Sequence, residues 1–434
     1  MLTIVSGAKG KTCDGVSRRD FVRVGSLGLA GLTLPALLQA RAESVAAGNP
    51  TKSTSVVWLW LGGGPTHVET FDPKMDAPAE FRSTVGAVDT ALPGVQIGAL
   101  LPKIASVADK MAFVRSFAHN NSGHGGGTHW VMTGYDNRLS DNGGVPIRPS
   151  LGSITSRFRG SNHPSTGIPT YVRLNGVGAD GAAWLGKAFE PFEPSGQGRN
   201  NMNLGISPER LADRRTLLDA FDRANRSADA NGIMDGMDSF ESQAFNLLLG
   251  SAKEAFDFKK ENPKTVQSYG PGLGEQLLLA RRLCEAGSGF VTIQYGGWDM
   301  HGNIANALKQ RCPQLDHAVA AFVRDVHSRG MSDNILLVIT GEFGRTPRVN
   351  KNAGRDHWSN LSTLALAGGG LKMGQVVGES TGNVERPKSK PITPQDLMAT
   401  VFQVLGLDPG LHYYNQAGRP TPMIESGKLI SELV

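Results

Sequence analysis

The chain has 434 residues, 44 of them Lys or Arg and 39 Asp or Glu, for a formal net charge of +5. Six of those basic and two of those acidic residues fall in the first 42, so the remainder holds 38 against 37, a net of +1, with no basic run or RNA-type aromatic motif. The high isoelectric point therefore gives no case for nucleic acid as a partner, and the two cysteines beyond residue 42, Cys284 and Cys312, are too few for a disulfide framework, although they could pair in an oxidising compartment.

Residues 17–42 have the three parts of a twin-arginine secretion signal. Arg18 and Arg19 stand in SRRDFV, a mildly apolar stretch follows at 25–38, and Ala40-Arg41-Ala42 is a small-x-small cleavage site. The stretch is shorter than the roughly 20 residues that span a bilayer, and its glycines weaken a helix. The expectation is a signal recognised by the twin-arginine export machinery, a periplasmic or extracellular protein, and no stable membrane span after cleavage. That route carries folded cargo, often already loaded with a cofactor.

Residues 43–54 read as a polar linker, and the main domain as 55–434. The run SVVWLWL at 55–61, closed by Gly62-Gly63-Gly64-Pro65, predicts a buried parallel strand and the loop after it. MAFVRSF at 111–117 predicts a second strand. A loop at 119–127 then leads to a helix starting at Thr128. PTYVRL at 169–174 is a third strand. Residues 179–203, rich in Gly, Pro and Asn, read as a surface loop, and 208–232 and 239–258 have a helical pattern. This middle part, about 179–272, reads as a helical insertion on the main sheet. Helices are predicted at 274–286, 313–329 and 393–405. The last starts with Thr393 as N-cap and Pro394 at the first helical position. Strands are predicted at 289–295 (GFVTIQY), 334–340 (NILLVIT) and 361–367 (LSTLALA). Alternating helices and fully apolar strands indicate an α/β fold, a mostly parallel sheet covered on both faces.

In such sheets ligands bind beyond the carboxyl ends of the strands, and the histidines gather there. His67 follows the first strand, and His119, Ser122, His124 and His129 follow the second. Asp299 and His301 follow GFVTIQY, Glu342 and Arg345 follow NILLVIT, and Asp356 and His357 precede the last strand. Histidine with carboxylate suits zinc or a similar divalent metal, which can activate water or steady a phosphoryl or sulfuryl oxygen. The competing expectation is a set of loop histidines that only hold a Gly-rich surface together. Asp299 and His301, one residue apart on extended chain, can face one side. Arg345 could clamp an oxyanion or pair with Glu342 or Asp356. His317 and His327 are expected on the surface.

Four segments carry a family resemblance: GGGPTHVETFDPK at 62–74, GGWDMHGN at 296–303, GEFGRTP at 341–347 and GRDHW at 354–358, with a closing GRP at 418–420. In this order they resemble domain-of-unknown-function family 1501, a sulfatase-like branch of the alkaline phosphatase superfamily, from about residue 55 to 434. The resemblance implies a three-layer α/β/α sandwich and a two-metal site. One metal would be held by Asp299, His301 and His357. The other would use an acid after the first strand and an Asp-His pair after a later one. Here the later pair reads Glu342-Phe343 and the first loop is Gly-rich, leaving His67 or Asp72 to compensate. The sulfatase motif with its Cys or Ser is not present: nine positions before Thr133-Gly134 stands His124. This argues against a formylglycine sulfatase. Ser122 is then the nearest hydroxyl, and His124 is open to roles as nucleophile, metal ligand or general acid.

Two functions follow. The first is a metal-dependent hydrolase of sulfate or phosphate esters, with a sulfated or phosphorylated small molecule or polysaccharide as the partner implied by analogy. The second is a non-catalytic envelope binding or scaffold protein on the same fold.

Overall fold

A computed structural model describes residues 53–137, 147–194, 252–408, 410, 412–415 and 418–434. The expected signal at 1–42, most of the linker at 43–54, the 208–232 helix and most of 239–258 lie outside the described residues. Among the described residues no helix is long and apolar enough to cross a membrane.

The first apolar run forms β1 (Ser55–Trp60), buried at every position. A short helix α1 (His67–Thr70) follows it, then a hairpin of β2 (Ala87–Asp89) and β3 (Gln96–Gly98) and a one-turn helix α2 (Pro102–Ala105). Next come β4 (Met111–Val114), α3 (His124–Thr133), α4 (Leu151–Arg159) and β5 (Tyr171–Leu174). After α5 (Ala252–Ala255) and α6 (Pro263–Tyr269), the chain runs through α7 (Leu273–Glu285), β6 (Phe290–Gln294), α8 (Ile304–Ser328) and β7 (Ile335–Thr340). Two short strands, β8 (Gly344–Arg345) and β9 (His357–Trp358), pair with each other before β10 (Leu364–Gly368), β11 (Gln375–Val377) and α9 (Pro394–Val404). The chain closes with a small hairpin, β12 (His412–Tyr414) and β13 (Pro420–Pro422).

The main sheet has seven strands in the order β11-β4-β10-β7-β1-β6-β5. β1 lies parallel between β6 and β7, β5 is parallel to β6, and β11 is parallel to β4. β10 is antiparallel to both its neighbours, β7 and β4, and so runs against the rest. The reason is the connection. β7 ends where the β8–β9 ribbon begins, and no crossover helix carries the chain back before β10, whereas parallel neighbours require a crossover. Alternate side chains of β1 feed two separate cores. Val57 and Leu59 pack with α7 and α8, and Val56, Trp58 and Trp60 pack with α3, α4 and α9. The sandwich is therefore three-layered, and each Val, Leu or Phe buried in it contributes about 1.5–3 kcal/mol.

Two helix boundaries and one loop differ from the sequence reading in an informative way. Pro313 does not open its helix. It lies inside α8, which begins at Ile304, because Ile304, Leu308 and Cys312 extend the buried stripe in the N-terminal direction. That burial outweighs an interior proline costing about 3 kcal/mol. α3 starts at His124 rather than Thr128 and takes in three glycines that are poor helix formers. Contact explains them: a Cβ on Gly127 would meet the Glu342 carbonyl oxygen at 2.7 Å. The 179–194 loop contains two turns of 3-10 helix, at Ala183–Leu185 and Lys187–Phe189. The cap at Thr393 is as expected, and Asp396 reciprocates to complete a capping box.

Candidate functional site

The carboxyl ends of β1, β6 and β7 and the entry to β10 meet at one edge of the sheet, and their loops converge there. Gly63 and Gly64 take φ of +112° and +80°, where L side chains are strained, and they press on neighbours. A Cβ on Gly63 would meet the Asp299 backbone nitrogen at 2.5 Å. This close approach brings the loop after β1 against the loop after β6.

Asp299 is the centre. Its Oδ1 lies 2.9 Å from His301 Nε2, 3.1 Å from His357 Nε2 and 2.5 Å from Arg345 Nη2. Its Oδ2 lies 3.4 Å from His124 Nε2. The Nε2 atoms of His301 and His357 are 3.0 Å apart. His124, Asp299 and His357 each offer a donor atom, all within 4.8 Å of one another. The far side of each ring is held as well. His301 Nδ1 is 2.6 Å from Asp356 Oδ1, His357 Nδ1 is 3.0 Å from the Ser122 carbonyl oxygen, and His124 Nδ1 is 2.8 Å from Glu342 Oε1. An acceptor at Nδ1 fixes the tautomer and leaves the Nε2 lone pair facing the centre. Three such lone pairs facing one carboxylate repel one another unless a cation or a proton sits between them. Metal-bound histidines characteristically donate the second ring N–H to a carboxylate or carbonyl, so this donor set fits a divalent metal with mixed N and O ligands.

Electrostatics follow the same contacts. Partial burial raises the Asp299 carboxyl, but the Arg345 hydrogen bond and charge, together with His357, outweigh it and bring it down to about 2. The hydrogen bond to Glu342 raises His124 above the ordinary histidine range, against the cost of desolvation. Burial lowers His357, although its bond to Asp299 works the other way. The hydrogen bond from His301 lowers Asp356.

Several expected residues have other positions. His67 is buried, its Nε2 3.3 Å from the Val384 carbonyl oxygen, and burial brings it down to about 3. It sits behind Gly344 rather than among the cluster's donors, because α1 turns it into the protein. Asp72 accepts from Ser380 and pairs with Lys74 and Arg115. Ser122 meets the cluster through its carbonyl. Its hydroxyl is tied to Ser359, donating to Oγ at 3.0 Å and accepting from the amide at 3.1 Å. Arg345 is wholly buried and donates to the carbonyls of Gly63, Gly64, Trp298 and Arg355 as well as to Asp299. Most of its donors are thus spent on the protein; beyond these, Nη1 lies 3.5 Å from His301 Nε2. His119 and His129 are buried in and beside α3. Cys284 and Cys312 are buried free thiols, pushed up to about 12 by burial.

The Phe343 ring, where the resemblance would place a histidine, packs 4.3 Å from the His357 ring and 5.0 Å from that of His124. Sequence reasoning missed one participant. Asn350 donates to both oxygens of Asp356 and to the His301 carbonyl. Its only sequence cue is its place in the turn before GRDHW.

The fold and this edge place the molecule among α/β proteins that assemble their site from the loops at the carboxyl ends of a mostly parallel sheet. Residues 53–434 match the family described as protein of unknown function DUF1501, and the chain belongs to that family. Among solved structures it is similar to the sulfatase PsFucS1 from Pseudoalteromonas sp., at 13% identity and a TM-score of 0.40, covering 86% of this chain and 72% of that one. It is also similar to a phosphonate monoester hydrolase from Silicibacter pomeroyi, at 12% identity and 0.38, covering 82% and 74%. A third is a lipoteichoic acid synthase from Listeria monocytogenes, at 10% and 0.37, covering 89% and 78%. No curated protein matches the chain.

Proposed function

We propose that the protein is an exported, metal-dependent hydrolase of sulfate or phosphate esters. The observation that carries this reading is the convergence of three Nε2 atoms on Asp299 while each Nδ1 is held by an acceptor. In this reading Asp299, His301 and His357 would hold a divalent ion, zinc or similar, which when bound would serve as a Lewis acid for water and the ester oxygen. Asp356 and the Ser122 carbonyl orient the two histidine rings. Arg345 holds Asp299 in place. His124, with Nδ1 on the buried Glu342, takes and returns a proton at Nε2, as an imidazole fixed by a carboxylate does in acid–base catalysis. Export rests on the residues at 17–42, and the choice of sulfate or phosphate esters, including sulfated polysaccharides, rests on the family resemblance.

The test is hydrolysis of aryl sulfate and aryl phosphate esters by the purified protein. Asp299→Ala should abolish metal binding and turnover together, and His124→Ala should lower kcat. Turnover by Asp299→Ala at the native rate sinks the reading.

A second reading, a binding or scaffold protein, is favoured by one observation. His124 stands where the resemblance would place the nucleophile, the nearest hydroxyl, Ser122, is tied to Ser359, and Phe343 stands where the second pair would have its histidine. Metal-dependent turnover lost in Asp299→Ala would exclude it.

A further inference from the structure

The motif at 62–74 supplies no ligand to the cluster, yet it contains Glu69, which is completely buried. Its partner is Arg355, also completely buried, at the start of the Asp356-His357 segment. Arg355 Nε and Nη2 donate to Glu69 Oε1 at 3.1 and 2.9 Å. The rest of the guanidinium donates to the carbonyls of Thr346, Pro347, Phe81 and Arg82. Glu69 Oε1 also accepts from the amide and hydroxyl of Thr84, and Oε2 from the Thr66 hydroxyl that caps α1.

The backbone of Arg355 joins the two loops that carry the cluster. Its N–H donates to the Met300 carbonyl, between Asp299 and His301, at 3.1 Å. Its carbonyl accepts from Arg345 Nη1, also at 3.1 Å. The amides of Asn303 and Ile304 donate to the carbonyls of Asn352 and Ala353, both at 2.9 Å. Gly354 lies so close to the His301 backbone that a Cβ there has no room. A buried charge pair that meets every neighbouring carbonyl is costly to break from one side, so it can hold one loop geometry against alternatives.

We propose that Glu69 and Arg355 are positioning residues: their buried ion pair sets the distance between the Asp299–His301 loop and the Asp356–His357 loop, and hence the affinity of the cluster for metal. This rests on the hydrolase reading only in its second half, so two readouts separate them. The first is hydrogen exchange by mass spectrometry on metal-free protein. In Glu69→Gln, peptides covering 298–303 and 354–358 should exchange at least tenfold faster, with β1, β6 and β7 unchanged. Unchanged exchange in those peptides, or a uniform rise across the sheet, overturns the positioning role. The second is zinc affinity by chelator competition, expected to weaken by about 10–100-fold, as when partners that orient metal ligands are lost. Native affinity alongside loosened loops overturns the link to metal. If the native protein binds none of zinc, manganese, iron or calcium, the hydrolase reading fails, while exchange still decides the positioning role. Arg355→Lys, which keeps the charge and loses the fork, is the second variant and should behave as Glu69→Gln does.

Discussion

Replacing Arg345 by lysine keeps a positive charge beside Asp299 and should nevertheless destabilise the protein substantially. The guanidinium reaches four backbone carbonyls, those of Gly63, Gly64, Trp298 and Arg355, from a wholly buried position. An ammonium carries three donors at one point and cannot fan across acceptors on three loops. At least two carbonyls then stay buried without a partner, at about 1–3 kcal/mol each. The Asp299 side chain is 45% exposed, so its pairing is screened and adds little. The expected loss is therefore about 2–6 kcal/mol. Urea denaturation followed by fluorescence of the buried Trp58, Trp60 and Trp298 measures it. A loss below about 0.5 kcal/mol, the size of an ordinary surface substitution, would falsify the view that Arg345 is a framework residue and reopen its role as an oxyanion clamp.

Other outcomes are expected from the same structure. Burial holds His67 and His119 at about 3 and about 4, below the ordinary histidine value of 6.5. The unfolded chain binds more protons below that value, so stability should fall as pH drops from 6.5 towards 4, by up to about 1.4 kcal/mol per unit for each histidine. Urea midpoints at pH 7.5, 6.5 and 5 check this, and equal midpoints would count against it. Gly63→Ala forces a Cβ against the Asp299 backbone at positive φ and should cost about 2 kcal/mol or more. It should also weaken metal binding, as chelator competition would show. Thr393→Ala removes half of the capping box of α9 and should lower stability by about 1 kcal/mol, with the metal centre unaffected.

Most strands of the main sheet are readable in the sequence as apolar runs closed by loops, but the three-residue edge strand β11 is too short and too polar to be read. β1, β6 and β7 fall where those runs predict. The order of strands and the reversed direction of β10 are not readable, since both depend on pairing between distant segments and on the ribbon that replaces a crossover. Asp299, His301, His357 and His124 come together as strand-end residues should. His67 does not join them. It too follows a strand, β1, but α1 is a short capped turn that points it inward, and a residue list gives no direction for a side chain. The use of Arg345 was equally hidden, because its acceptors are backbone carbonyls, which carry no sequence signature.

Metal content of the purified protein, measured by elemental analysis with and without Asp299→Ala, decides whether these side chains form a metal centre. About one equivalent of zinc, manganese, iron or calcium is expected in the native protein, with full release in the variant and an unchanged far-ultraviolet spectrum. A native protein that holds no metal after metal-replete expression, or a variant that keeps it, would contradict the account and leave the histidines as loop architecture.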